Sequence, residues 1–160
     1  RILQKPATQR ALLVGFDDTA AAATAVGDVI GAGIIPAGME MMDGLAINAA
    51  EDFVHAGYPR DADALIIVEL DGPAVEVDAL IERVAKIMDR AGASSLKVST
   101  SEEERNLFWA GRKSAFPAVG RISPDYLCMD GTIPRRRLPD MMVLMATLSQ
   151  KYGLRVANVF

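Results

Sequence analysis

One cysteine and one histidine, Cys128 and His55, are all that 160 residues supply of the two side chains most used for metal and nucleophile chemistry. One thiol forms no internal disulfide framework, and one thiol with one imidazole does not complete a four-ligand zinc site. A Ser-His-Asp or Cys-His system would have to use His55, and no nucleophile motif frames a serine. His55 instead reads as a solvent-facing residue at a helix end. Cys128 has no basic neighbour in sequence to activate it and reads as a small buried hydrophobe. Long uncharged apolar runs are lacking, as is a basic-then-apolar signal at the amino end, so no transmembrane segment is expected and the location reads as cytoplasmic. An excess of positive charge is lacking too: 17 Lys and Arg stand against 21 Asp and Glu, for a net charge of -4. Such a surface has no general attraction for phosphate backbones, and nucleic acid is not expected as a partner.

With 51% hydrophobic residues, the chain has the material for the core of one ordinary globular domain or two small ones, and the apolar fraction is too high for disorder. Its start at Arg1 and its strand-like last segment, Leu154 to Phe160, with no turn after it, read as a piece of a longer polypeptide.

Ala11 to Phe16 is an apolar run of strand length, and Asp17, Asp18 and Thr19 offer caps for an alanine-rich helix from Ala20 to Ile30 that Gly31 and Gly33 close. Because these glycines follow a helix and precede a strand, they are stop signals and not a dinucleotide loop. Ile34 to Met42 reads as a second strand, Asp43 to His55 as a connecting helix, and Ala64 to Leu70 as a third strand, apolar on both faces except at Glu69. Val77, Leu80, Ile81, Val84 and Met88 then form one apolar helical stripe before Gly92, and Leu96 to Ser99 is a fourth strand. Strand, helix, strand, repeated, is the pattern of a ferredoxin-like α+β sandwich, a mostly antiparallel sheet with helices on one face.

The carboxyl third differs in character. Ser101 and Glu104 make a capping box for a helix from about Glu102 to Ser114, ahead of Pro117. A loop from Pro124 to Pro134 follows. A last helix, Leu138 to Tyr152, sets Leu138, Met141, Met145, Leu148 and Tyr152 on one side and stops at Gly153. Arg135, Arg136 and Arg137 stand before that helix, where the macrodipole disfavours positive charge; they read as a solvated turn or as a contact for an anion. Arg112 falls four residues after Phe108 and four before Phe116, on an otherwise aromatic stripe. A guanidinium there either reaches past its stem to water or meets a carboxylate as a bidentate fork, and periodicity alone leaves both open. Lys113 beside it reads as pointing to water.

The segments Asn106 to Pro117, with its Trp-x-x-Arg-Lys, and Ser123 to Leu138, with its Asp-Gly-Thr-Ile-Pro-Arg, together with Pro36 to Asp43 and Tyr152 to Phe160, resemble the carboxyl-terminal domain of FAD-linked oxidases. The likeness is to the glycolate oxidase D-subunit and D-lactate dehydrogenase type, in the vanillyl-alcohol oxidase fold group, and covers nearly the whole chain. It implies FAD held mainly by an absent amino-terminal domain, a substrate pocket formed by this domain, and oxidation of a small D-2-hydroxy acid by hydride transfer to the flavin. It implies Arg112 as the carboxylate clamp, with Tyr126, Asp130 and Thr132 as pocket or loop-ordering residues; for Asp130 to Thr132 a simple turn is an equal reading. Electrons then pass to another acceptor or oxidase subunit, and any membrane association would come through such partners.

Related hydroxyglutarate dehydrogenases carry a Thr one turn after the arginine, where Phe116 stands here, and a Lys at the place of Cys128, which points to a more apolar pocket or smaller acid. Family members continue beyond Asn-Val-Phe with a His-x-Gly-Asp-Gly-Asn-x-His segment associated with a divalent metal. No catalytic or metal-binding residue is therefore assigned to this chain, and the 160 residues alone are expected to be inactive. The rival reading is a stand-alone ferredoxin-like module that binds or senses a small ligand.

Overall fold

The computed structural model describes residues 6–160. Four strands, β1 (Thr8–Phe16), β2 (Gly38–Asp43), β3 (Ala64–Gly72) and β4 (Ala93–Val98), form one sheet in the order β2-β3-β1-β4. Every neighbouring pair is antiparallel. Helix α1 (Thr19–Gly31) joins β1 to β2, and α3 (Ala74–Arg90) joins β3 to β4. Between the two halves lies α2 (Gly44–Val54), and after β4 come α4 (Glu102–Lys113), α5 (Ala115–Ile122) and α6 (Leu138–Tyr152). This is the expected α+β arrangement: each strand-helix-strand unit crosses over, and β1 and β3 pair in the centre.

The alternation of side chains along the central strands divides the core in two. Leu12, Val14 and Phe16 of β1, with Ile66, Val68 and Leu70 of β3, meet α1 and α3. The alanines of α1 bring its backbone close to the sheet; Ala22, Ala23 and Ala25 are buried. Helix α6 packs on α1 through Leu138 and Met142. The crossover helices thus share one face, as the pattern requires, but α2, α4 and α5 lie on the other, so helices cover both faces and not one. The other face, Leu13, Leu65, Ile67 and Met42, is covered in turn by α2, Tyr58, Phe108 of α4 and Ala115 of α5.

Several local expectations change. Gly33 has φ +75 and Ile35 is exposed, so β2 begins at Gly38 and not at Ile34. Pro117 does not stop the helical path: Ser114 makes a bend, and the proline takes a place in the first turn of α5, where its missing N–H costs nothing. On α6 the inward side is Leu138 and Met142, with Leu148 and Tyr152 exposed. Residues 154–160 are not a full strand; Val159 makes a single bridge to Met42.

Candidate functional site

Helix α4 starts where Ser101 accepts the N–H of Glu104 at 3.2 Å. Glu104 answers one residue further back than a capping box predicts, taking the N–H of Thr100 at 2.7 Å and its hydroxyl at 2.9 Å. Three acidic residues in the first turn and Arg112 with Lys113 in the last suit the helix dipole. Phe108 anchors the helix in the second core, and the Tyr58 hydroxyl donates to the Phe108 carbonyl. Burial holds that phenol above its ordinary pKa, so Tyr58 is a neutral donor. Gly111 lies directly against the Tyr58 ring, where a Cβ would collide with it.

With the helix so fixed, Arg105, Trp109 and Arg112 fall in one row over the sheet. Facing them are the two carboxylates that interrupt the apolar strands. Glu69 on β3 accepts from Arg105 Nη1 at 2.9 Å and from Trp109 Nε1 at 2.5 Å, and the Arg105 and Glu69 side chains are only 13% and 12% exposed. Glu40 on β2 accepts from Arg112 through Nε at 3.0 Å and Nη2 at 2.9 Å, both bonds falling on Oε2. This second pair is 26% and 28% exposed. Gly38, opposite Glu69 in the register, makes room for the Trp109 ring, since a Cβ there would lie 3.2 Å from it.

The carboxyl-terminal residues run along the outer edge of β2 beside this row. Met41 and Phe160 exchange both backbone hydrogen bonds at 2.9 Å. Asp43, which also caps α2, accepts from the Asn158 backbone at 2.8 Å and side chain at 2.7 Å. Burial raises the Asp43 carboxyl above its usual range, and the N–H groups of Ala46 and Asn158 offset this only in part.

The other residues singled out in the sequence are not gathered here. The whole stretch from Pro124 to Thr132 is exposed. Tyr126 leans on α5, its hydroxyl 3.5 Å from the Phe116 carbonyl, and no hydrogen bond links Tyr126, Asp130 or Thr132 to Arg112. Cys128 is exposed, contrary to its reading as a buried hydrophobe, in a loop whose residues from Pro124 to Thr132 are all exposed. His55 and Lys113 are exposed as expected, His55 at the left-handed end of α2. Arg135–Arg137 form a short 3-10 turn, with Arg137 paired to Asp140 at 3.1 Å. Sequence patterning does not single out Glu40 or Trp109 as site residues, and it marks Glu69 only as the polar exception in its strand.

Two shallow concavities open on the α4 side. One, of about 330 Å³, is lined by Glu69, Arg105, Asn106, Trp109, Ala110 and Lys113; the other, of about 660 Å³, lies by His55, Lys97 and the start of α4. Neither takes in Arg112. Among the described residues no group of three or more His, Cys, Asp or Glu side chains could hold a metal, and no helix is long and apolar enough to cross a membrane. Gly31 ends α1 and Gly33 follows it, so neither opens a helix as a dinucleotide loop would.

Residues 5–160 match the family described as FAD linked oxidases, C-terminal domain. The chain is 59% identical over its full length to the glycolate oxidase subunit GlcD of Escherichia coli (strain K12), covering 32% of that protein. To the subunit of the same name from Bacillus subtilis (strain 168) it is 31% identical over 158 residues, covering 34%. It thus spans about a third of these relatives. Solved structures share the fold at low identity. A 4-ethylphenol oxidase from Gulosibacter chungangensis aligns with a TM-score of 0.70 at 12% identity, covering 99% of this chain and 38% of that one. An alkyldihydroxyacetonephosphate synthase aligns at 0.65 and 15%, covering 94% and 32%. On the family match, carried over nearly the whole sequence, the chain belongs to the FAD-linked oxidases, as their carboxyl-terminal domain.

Proposed function

We propose that this chain is the substrate-gripping part of a flavin-dependent enzyme that oxidises a small D-2-hydroxy acid of the glycolate or D-lactate type, with Arg112 holding the acid's carboxylate. The observation that carries the reading is the state of the Arg112 guanidinium. It is held by Glu40 along the Nε and Nη2 edge, and among the described residues nothing accepts from Nη1. Two N–H groups on the Nη1 and Nη2 end therefore form an open fork, the shape that matches a carboxylate. The name of the 59%-identical relative, a glycolate oxidase subunit, supports the substrate class and a setting with other subunits or an electron acceptor.

The part these residues play is orientation. A half-buried cation fixes one end of the acid, and so the hydroxyl-bearing carbon, in place. The hydride acceptor is the family's FAD; no step through it or through a metal is assigned to side chains of this chain. Tyr126, Asp130 and Thr132 remain proposed contributors to the pocket wall, on a loop that would have to be ordered by other parts of the enzyme. A cytoplasmic location belongs to the same proposal.

The test is Arg112→Ala in the full-length flavoprotein. Loss of a charge-assisted fork is expected to raise KM for glycolate or D-lactate at least about tenfold, with the flavin spectrum unchanged. Unaltered kinetics would remove Arg112 from the site.

A further inference from the structure

We propose that Glu40 is the positioning residue of this site: it fixes the plane of the Arg112 guanidinium so that the open fork faces the incoming acid. The proposal rests on the reading of Arg112 as the grip and names the group that makes the grip rigid.

The argument starts from the strand. Glu40 lies on β2 with the parity of Gly38 and Met42, and its carboxylate reaches the α4 face of the sheet. An arginine stem has several rotatable bonds, and an unheld guanidinium samples many orientations, which a bound acid would have to freeze. Here that ordering is done in advance. One oxygen of Glu40 takes the Nε and Nη2 hydrogens together, which sets both the direction and the tilt of the planar group. Of five N–H donors, two are used by Glu40, and of the three that remain two form the fork at the far end. The carboxylate is itself placed by a strand that pairs with β3 along its length and, from the residue after Glu40 onward, with the carboxyl-terminal segment through the Met41 and Phe160 hydrogen bonds. The neighbouring pair is held differently. Arg105 and Glu69 are about half as exposed and share the carboxylate with Trp109, which locks helix to sheet. Glu40 has no such third partner among the described residues.

The experiment uses the full-length flavoprotein with glycolate as the probe, in a cycle of Glu40→Ala, Arg112→Ala and the double variant, with Glu40→Gln alongside. Glu40→Ala is expected to raise KM about tenfold with the flavin still bound, inside the roughly hundredfold that an ångström of misplacement costs. Glu40→Gln, which keeps one acceptor oxygen, is expected to fall between Glu40→Ala and the parent. In the double variant the loss should equal that of Arg112→Ala alone, because Glu40 acts only through the guanidinium. Should Glu40→Ala not fold, the same cycle run with Glu40→Gln decides the matter through its non-additivity. Additive losses, or an unchanged KM in both Glu40 variants, overturn the positioning role while a loss in Arg112→Ala leaves the grip intact. No loss in Arg112→Ala overturns the grip itself.

Discussion

The two faces of the sheet are built by different rules. Toward α1 and α3 the strands present Leu12, Val14, Phe16, Ile66, Val68 and Leu70, and the ion pair on that side, Arg10 with Asp78, lies at the exposed rim. Toward α4 the equally apolar Leu13, Leu65 and Ile67 give way on β2 and β3 to Glu40 and Glu69, each met by an arginine. A dry face needs only volume and shape. A face with half-buried charges has to pair each charge or leave it open to water, since a buried unpaired one costs more than the pair contributes. On the proposed reading of Arg112, the roles are therefore spread unevenly: the first face contributes only apolar burial, and the second combines apolar burial with the fixed direction of a few polar groups.

The strongest way to test this division is to damage the dry face alone. Ile66 is fully buried between Val14 of β1 and Met41 of β2. Ile66→Ala is expected to destabilise the chain by about 2–5 kcal/mol in urea denaturation, through lost burial and the cavity left behind. In the full-length enzyme, KM for the acid should not change, because nothing from that face reaches Arg112. A KM shift matching that of Arg112→Ala would dissolve the distinction between the faces.

A smaller effect with a mixed signature is expected on the other side. In Gly111→Ala the new methyl overlaps the Tyr58 ring, so either α4 or Tyr58 must move. Overpacking of this kind costs about 1–3 kcal/mol. Because Arg112 is the next residue on the same helix, KM should rise with the loss of stability, where Ile66→Ala gives the stability loss alone. An Ala variant as stable as the parent would show that the close approach of Tyr58 and α4 is not needed.

The legibility of the sequence follows the same line. Apolar runs of strand length mark β1 and β3, alanine content with capping residues marks α1, and a period-3.6 stripe marks α3, because those elements face apolar partners. Arg112 is visible as a charge on an aromatic stripe, and Glu69 as the polar exception in an apolar strand. Glu40 is not, because a carboxylate between methionines on a short strand has no local signal; its partner lies 72 residues away. Helix α5 is hidden because Pro117 reads as a stop unless the bend at Ser114 is known. Tyr126, Asp130 and Thr132 rest on likeness to the family, on a loop whose shape here is set by no contact with Arg112.

The mildest expected effect contrasts two carboxylates that titrate in opposite senses. Glu104 at the start of α4 is drawn down to about 2, first by the Lys97 ammonium 2.7 Å away and then by the N–H and hydroxyl of Thr100. Its folded value lies below the ordinary 4.5, so the stability it contributes is fully present above 4.5 and is lost as the pH falls from there through about 2. Asp43 runs the other way: burial raises its carboxyl, so ionisation works against folding and acid relieves that cost. Comparing the parent with Glu104→Gln isolates the first of these. The parent should be the more stable in urea near neutral pH, by a small margin suited to an exposed pair, and the margin should shrink toward zero as the solution is taken below about pH 3. It should also shrink with added salt, which screens an exposed pair far more than one under a helix. A margin that stays constant from neutral pH into acid would mean that Glu104 holds α4 by packing and not by charge, and the start of the helix would then belong with the dry face.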